Sequence, residues 1–310
     1  MKSILLAAGL SCILIACSAV AEPIHFTFNP SDSLSCTGVT VTARTRFVDG
    51  TQGPIDSIRV YNQLTFTRAD SGYEVLSSPD SITITRNGVR IADLVTGILG
   101  RTPITYILDS TGQAKAVRGF ERVLDEVSRE NGQLSDNMRR ALNADMLGAG
   151  ALTEWDSRVG SMIGMELRVG ETAHSIEEHV TPDGRSLPFY QIMQITDTFQ
   201  VDGQLCARMF RLADTDFGRL ANKLKMTTDS LKHIMNIPSD KKIAPPDDTA
   251  SSWSSDQVVM EVHTMMILGE HSESETFLPM AGPDGATHMV QMIEVTDKEY
   301  HFGPRAKGKH

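Results

Sequence analysis

The chain has 310 residues, 40% of them hydrophobic, and a formal net charge of -10 at neutral pH. This length and apolar content allow a large buried core in one or two domains. The acidic balance argues against nucleic acid and anionic membrane surfaces as partners, because both repel a negatively charged protein.

Residues 1–21 have the layout of a bacterial secretory signal peptide. Lys2 precedes an apolar run over residues 4–16, which is too short to span a membrane, and small residues follow it. Ala19-Val20-Ala21 fits the A-x-A pattern at which a signal peptidase cleaves. The sequence therefore predicts an exported protein, periplasmic or secreted, whose mature chain begins at Glu22.

An overlapping motif offers a second route out of the cytoplasm. Residues 14–17 read Leu-Ile-Ala-Cys and resemble the lipobox of bacterial lipoproteins. That resemblance implies a lipid on Cys17 and attachment to the outer membrane. The protein would then touch a membrane only through this N-terminal anchor. Both routes predict export, and the sequence leaves the choice between them open.

Two cysteines, Cys36 and Cys206, lie beyond the predicted signal peptide. In an oxidising compartment such a pair can form a disulfide, and the long loop that it closes would stabilise the fold by about 4 kcal/mol. The alternative is two separate buried thiols.

Residues 22–103 predict an N-terminal β-rich segment. Between Val39 and Phe47 apolar residues alternate with polar ones, and a second alternation over residues 58–67 places Val60, Leu64 and Phe66 on one side. Period-two alternation is typical of half-buried antiparallel strands. A short helix is expected over residues 91–99.

The remainder of the chain reads as two copies of one unit. Phe120 recurs as Phe217, Trp155 as Trp253, and the Pro-Asp-Gly turn at 182–184 as the turn at 283–285, which gives a period of about 97–100 residues. Such internal repeats predict architecture more directly than any single motif. The first copy is expected over 104–201 and the second over 202–302.

Each copy predicts a strand, a helical hairpin and then three strands. In the first copy Phe120, Val123, Leu124 and Val127 have the spacing of an apolar helix stripe, which must pack on something. We therefore predict an α+β fold of mostly antiparallel sheet with two helical hairpins on one face, internally duplicated, preceded by the β-rich segment. Residues 303–310 form a short basic tail.

No catalytic motif, phosphate-binding loop or cofactor signature is present in the sequence. The residues at Gly160-Ser161-Met162-Ile163-Gly164 do not have the G-x-S-x-G spacing of a nucleophile elbow. We therefore predict non-catalytic binding of an apolar small molecule or an envelope protein partner. The candidate ligand-lining residues are Trp155, Trp253, Met260 and Met266, whose alternative role is to fill the core.

Two other functions remain open at this point. One is a hydrolase whose site is assembled from residues distant in sequence. The other is a periplasmic copper-binding protein, since thioether and imidazole ligands suit Cu(I). Its candidate ligands are His263, Met265, His288 and Met292.

Overall fold

A computed structural model describes residues 22–31, 33–131, 134–180, 186–243, 250–281 and 285–303. The predicted signal peptide with Cys17, most of both Pro-Asp-Gly turns and residues 304–310 of the predicted basic tail lie outside these ranges. Within them, no helix is long and apolar enough to cross a membrane.

The described residues form fourteen β-strands and six α-helices. The strands are β1 Ile24–His25, β2 Ser35–Val48, β3 Thr51–Ala69, β4 Gly72–Arg86, β5 Val89–Arg90, β6 Ile104–Asp109, β7 Ala114–Arg118, β8 Glu166–Leu167, β9 Thr172–Val180, β10 Ser186–Val201, β11 Gln204–Asp214, β12 Ser251–Glu261, β13 Ile267–Ala281 and β14 Thr287–Phe302. The helices are α1 Leu94–Leu99, α2 Val123–Asn131, α3 Asp136–Ala141, α4 Ala144–Arg158, α5 Phe217–Lys223 and α6 Thr228–Ile234, with 3₁₀ turns at Phe120–Arg122 and Gly160–Met162.

Almost all strands belong to one antiparallel sheet. Its order is β7-β6-β4-β3-β2-β14-β13-β12-β11-β10-β9, with β5 attached to β4, while β1 and β8 pair separately. The predicted α+β class with mostly antiparallel sheet is confirmed. Because β2 pairs with β14 from Val48↔Val290 to Cys36↔Phe302, the N-terminal strands and the last strands of the chain share one sheet.

The sheet curves around the N-terminal segment. In the sheet order β4 and β12 are five strands apart, about 24 Å in a flat sheet. Asn29 nevertheless bridges this distance, since its backbone N–H donates to His263 O at 2.7 Å and its side chain accepts from Tyr73 Oη at 3.5 Å. Phe26 and Phe28 are buried beside it in the largest hydrophobic cluster. One face of the sheet is therefore concave and wraps this segment.

Helices cover both faces of the sheet, so the prediction of helices on one face is wrong. On β10, Tyr190 and Ile192 pack with Phe217 and Leu231 of α5 and α6. Met193 on the same strand points the other way and belongs to the large cluster with residues after α4. Since both sides of β10 are apolar at these positions, each side must be covered by another element.

The internal duplication stays a prediction, because the two segments agree in part only. The β9–β10 and β13–β14 hairpins occupy corresponding places in the two sequence copies. The tryptophans do not, since Trp155 lies in helix α4 and Trp253 lies in strand β12. The first copy thus contains a third helix for which the second has no counterpart among its described residues.

Candidate functional site

The concave face of the sheet holds a cavity of about 340 Å³. It lies between strands β2, β3, β4, β6 and β14, the turn after β12, and helix α4. Its apolar walls include Phe28, Leu64, Phe66, Trp155, Met265 and Met266. A few polar and charged groups converge on it, among them Thr40, Asn62, Ser77, Glu154, Arg158 and Lys298. Ligand-binding pockets in proteins commonly have this composition.

Trp155 is held in the cavity wall from three sides. Its indole Nε1–H donates to the carbonyl of Gly112 at 3.1 Å, and its ring centroid lies 5.1 Å from that of Tyr106 and 6.0 Å from that of Phe28. Gly112 has a φ of 93°, and a Cβ there would lie 2.3 Å from Phe28. The β6–β7 turn therefore requires glycine in order to approach the aromatic group closely.

The turn between β12 and β13 supplies the two methionines. Met265 is buried although its φ is 57°, a backbone conformation that is uncommon for a side chain of this size. The buried carboxylate of Glu261 accepts the backbone N–H groups of His263 and Thr264 and thereby fixes the turn. Backbone strain of this kind persists only where the surroundings impose it.

Four charged side chains meet at one end of the cavity. Glu270 of β13 is fully buried, accepts two hydrogen bonds from Arg158 Nη1 at the end of α4, and has Lys298 Nζ of β14 at 3.4 Å. Glu154, one helical turn before Arg158, lies 3.4 Å from Arg158 Nε and 3.7 Å from Lys298 Nζ. The cluster thus contains two cations and two carboxylates within one network.

Burial changes the proton affinity of several groups at this end. Burial lowers the pKa of Lys298, and the neighbouring Arg158 cation lowers it further, while Glu270 opposes both effects. Burial also raises the pKa of Tyr106 and of Tyr300. A low-dielectric environment that disfavours charge explains each of these directions.

A polar groove of about 660 Å³ continues from the charged cluster along α4; Arg158 lines both the groove and the cavity, and Glu270 lines the groove. At its centre Arg211 is buried, with Nε 3.4 Å from Asp256 Oδ2 and Nη1 donating to Ser157 O at 2.9 Å. Ser272 Oγ donates to Asp256 at 2.6 Å. Asp256 is therefore already paired in this groove, whereas the buried Arg211 Nε has no hydrogen-bond partner among the described residues.

Among the described residues of this groove, no serine is paired with a histidine, the usual base of a serine hydrolase. Ser161 lines the groove, but neither a histidine nor a cysteine is among the described residues that do. His174, on the neighbouring edge strand, pairs with Ile192 and shares the opposite face of the sheet, where its ring nitrogen lies 3.4 Å from Asn236 Nδ2. A serine without a neighbouring base is a weak nucleophile.

Comparison with known proteins gives no family assignment. The chain matches no family model and no curated protein. Among solved structures, one of lipid–protein interactions in lipovitellin is similar at 7% identity and a TM-score of 0.44, over 90% of this chain and 26% of that one. The chain thus spans about a quarter of the length of that protein.

Two further structures are similar over most of both chains but at lower TM-scores. DynF from the dynemicin biosynthesis pathway of Micromonospora chersina is 10% identical, with a TM-score of 0.22 over 91% of this chain and 86% of that one. A Bacteroides fragilis protein described as exported, with a YmcC-like fold, is 8% identical, with a TM-score of 0.20 over 87% and 97%. At these values the likenesses carry no functional argument.

The structure separates the four residues predicted to line a ligand site. Trp155 and Met266 line the cavity. Met260 is buried in the large core cluster, and Trp253 lies elsewhere, with its Nε1–H donating to Glu275 at 2.7 Å and Lys223 Nζ 3.2 Å from its ring centroid. The two tryptophans that the sequence presents as equivalent therefore have different surroundings.

The four candidate copper ligands do not meet at one place. His263 and Met265 lie in the turn before β13. His288 lies opposite Met280, which is thirteen residues after Ile267, the first residue of that strand, so the two places are roughly 40 Å apart. His288 Nδ1 lies 2.7 Å from Asp49. Met292, on β14 and opposite Thr276, lies between these two positions. Among the described residues, no three His, Cys, Asp or Glu side chains are grouped so that they could hold a metal ion.

Cys36 and Cys206 are free, buried thiols and do not form a disulfide with each other. Burial raises the pKa of Cys36 to about 12 and also raises that of Cys206. We expect neither to react with iodoacetamide in the native protein, because the thiolate is the reactive form. Peptide mapping should find both alkylated after unfolding without reductant. A disulfide-linked peptide pair would contradict the free thiols.

Several cavity residues could not be found from the sequence. Phe28 and Tyr106 lie in short segments with no distinctive motif, and Arg158 and Lys298 come together only because β13 pairs with β14 beneath the end of α4. Besides Trp155 and Met266, the sequence indicates Val60, Leu64 and Phe66 through the apolar side of residues 58–67, and all three line the cavity.

Proposed function

We propose that this protein binds an apolar small molecule in the cavity beside Trp155. The observation that carries the proposal is a cavity of about 340 Å³ whose walls are mainly aromatic, methionine and aliphatic side chains. This volume lies in the roughly 300–1,000 Å³ range of small-molecule sites. A concave apolar surface with a few polar groups at one end is the usual form of a site for a small apolar ligand.

The proposal includes export, which is supported by the signal peptide pattern of residues 1–21. Outside the cytoplasm, a protein that shields an apolar molecule from water has an evident use as a carrier or receptor. Intact mass of the mature protein distinguishes an N-terminus at Glu22 from a lipidated Cys17.

The two tryptophans allow a direct test. In Trp253→Phe the remaining indole, Trp155, lies in the cavity wall, and in Trp155→Phe the remaining indole, Trp253, lies outside it. We titrate both variants with a medium-chain alcohol that carries bromine atoms along its chain, because bromine quenches indole fluorescence only at close range. We expect saturable quenching in Trp253→Phe and none in Trp155→Phe.

The alcohol without bromine controls for indirect changes in fluorescence. It should compete with the brominated alcohol and restore the emission of Trp155. Equal quenching of both variants would show that the probe binds nonspecifically to the surface, and no quenching of Trp155 would exclude the cavity as the binding site.

A further inference from the structure

The charged end of the cavity contains one carboxylate that is held firmly and one that is not. The side chain of Glu270 is 0% exposed and contacts both cations. The side chain of Glu154 is 56% exposed, and its contacts to Arg158 and Lys298, at 3.4 and 3.7 Å, are longer than ordinary charge-assisted hydrogen bonds. Glu154 can therefore turn into water at little cost, whereas Glu270 cannot.

Without Glu154 the cations would have an incomplete set of partners. Arg158 and Lys298 are 24% and 14% exposed, and Glu270 alone neutralises one of their two charges. Asp256, the next carboxylate, is already paired with Arg211 and Ser272. An additional anion between Arg158 Nε and Lys298 Nζ is thus favoured, and Glu154 supplies it.

We propose that the ligand is an apolar molecule with an anionic head group, such as a fatty acid, and that its carboxylate displaces Glu154 from Arg158 and Lys298. This inference rests on the proposed function, since the apolar part of the ligand fills the cavity beside Trp155. The exchange conserves the number of charges in the cluster. A neutral ligand leaves Glu154 in place and gains nothing from the two cations.

The test compares two brominated ligands of the same chain length, a fatty acid and the corresponding alcohol, by quenching of Trp155 in the Trp253→Phe protein. We expect the acid to bind more tightly than the alcohol. Lys298→Gln should weaken binding of the acid by roughly tenfold or more, and Glu154→Gln should strengthen it by up to roughly fivefold, because the internal competitor is removed. Neither substitution should change binding of the alcohol.

Lys223→Gln is the matched control, since it removes a partly buried lysine near residue 253 and away from the cavity. It should leave the affinities for both ligands unchanged. If Lys298→Gln does not fold, Glu154→Gln still tests the head-group site. The Glu154 side chain is more than half exposed, so we expect this variant to fold.

The outcomes separate the two proposals. Equal affinities for acid and alcohol, or an acid preference that neither Lys298→Gln nor Glu154→Gln alters, would overturn the head-group site while the cavity still binds the apolar chain. Failure of both the acid and the alcohol to quench Trp155 would instead refute the proposed function, and the head-group site with it.

Discussion

Glu270→Gln is expected to lower the free energy of unfolding by about 3–5 kcal/mol, because it removes one partner of a buried ion pair. The carboxylate is fully buried and is the closest partner of both Arg158 and Lys298. An amide of the same shape removes the charge and leaves two cations in a medium that solvates them poorly. Urea denaturation followed by circular dichroism measures the loss.

Glu154→Gln provides the comparison, because it removes the other carboxylate of the same cluster. Its side chain is more than half exposed, so water replaces its contacts, and the loss should stay below about 1 kcal/mol. Equal losses in the two variants would mean that Glu270 is not the buried counterion that the structure shows.

Phe28→Ala is expected to cost about 3–5 kcal/mol, because truncation of a buried aromatic ring leaves a space that its neighbours fill only in part. The ring is 6% exposed, and its centroid lies 5.2 Å from that of Tyr73, 6.2 Å from that of Phe66 and 6.0 Å from that of Trp155. It therefore joins the N-terminal segment to β3, β4 and α4. Affinity for the brominated alcohol should fall as well, since the cavity loses a wall.

The matched control is Val89→Ala, which truncates a side chain that is 67% exposed on the short strand β5. A change within about 0.5 kcal/mol is expected there, since no core contact is lost. If thermal unfolding were the same for Phe28→Ala and the unmodified protein, the N-terminal segment would not be part of the core.

The sequence predicts the strands well where one face is clearly apolar. In β3, the alternation places Val60, Leu64 and Phe66 on one side, and all three line the cavity. The short helix expected over 91–99 corresponds to α1, Leu94–Leu99, whose N-terminus is capped by Asp93. Local periodicity and capping residues suffice in both cases, since neither depends on distant parts of the chain.

Strand β2 shows why the same reasoning fails elsewhere. Its apolar side, with Val39, predicts the buried face, yet the cavity is lined by Thr40, which pairs with Val60 on the facing position of β3. A face that borders a partly polar cavity need not be the apolar one. Alternation therefore identifies the strand, and only the sheet order identifies which side is inside.

Helix α4 was not predicted, although it carries Trp155, Glu154 and Arg158. Its sequence includes Gly148 and Gly150, which lower helix propensity, and it lacks a continuous apolar stripe. The helix is stabilised by its position on the sheet, with Trp155 bonded to Gly112 and Arg158 to Glu270. Such tertiary contacts join residues that are distant in sequence and leave no local pattern to read.

The most direct test of the cavity as a binding site is a crystal structure of the protein with the brominated alcohol bound, in which anomalous scattering locates the bromine atoms. We predict bromine peaks inside the curved sheet, between Trp155 of α4 and Met266 of the β12–β13 turn. Bromine peaks confined to the outer surface, with side chains or water filling the space beside Trp155, would contradict the account.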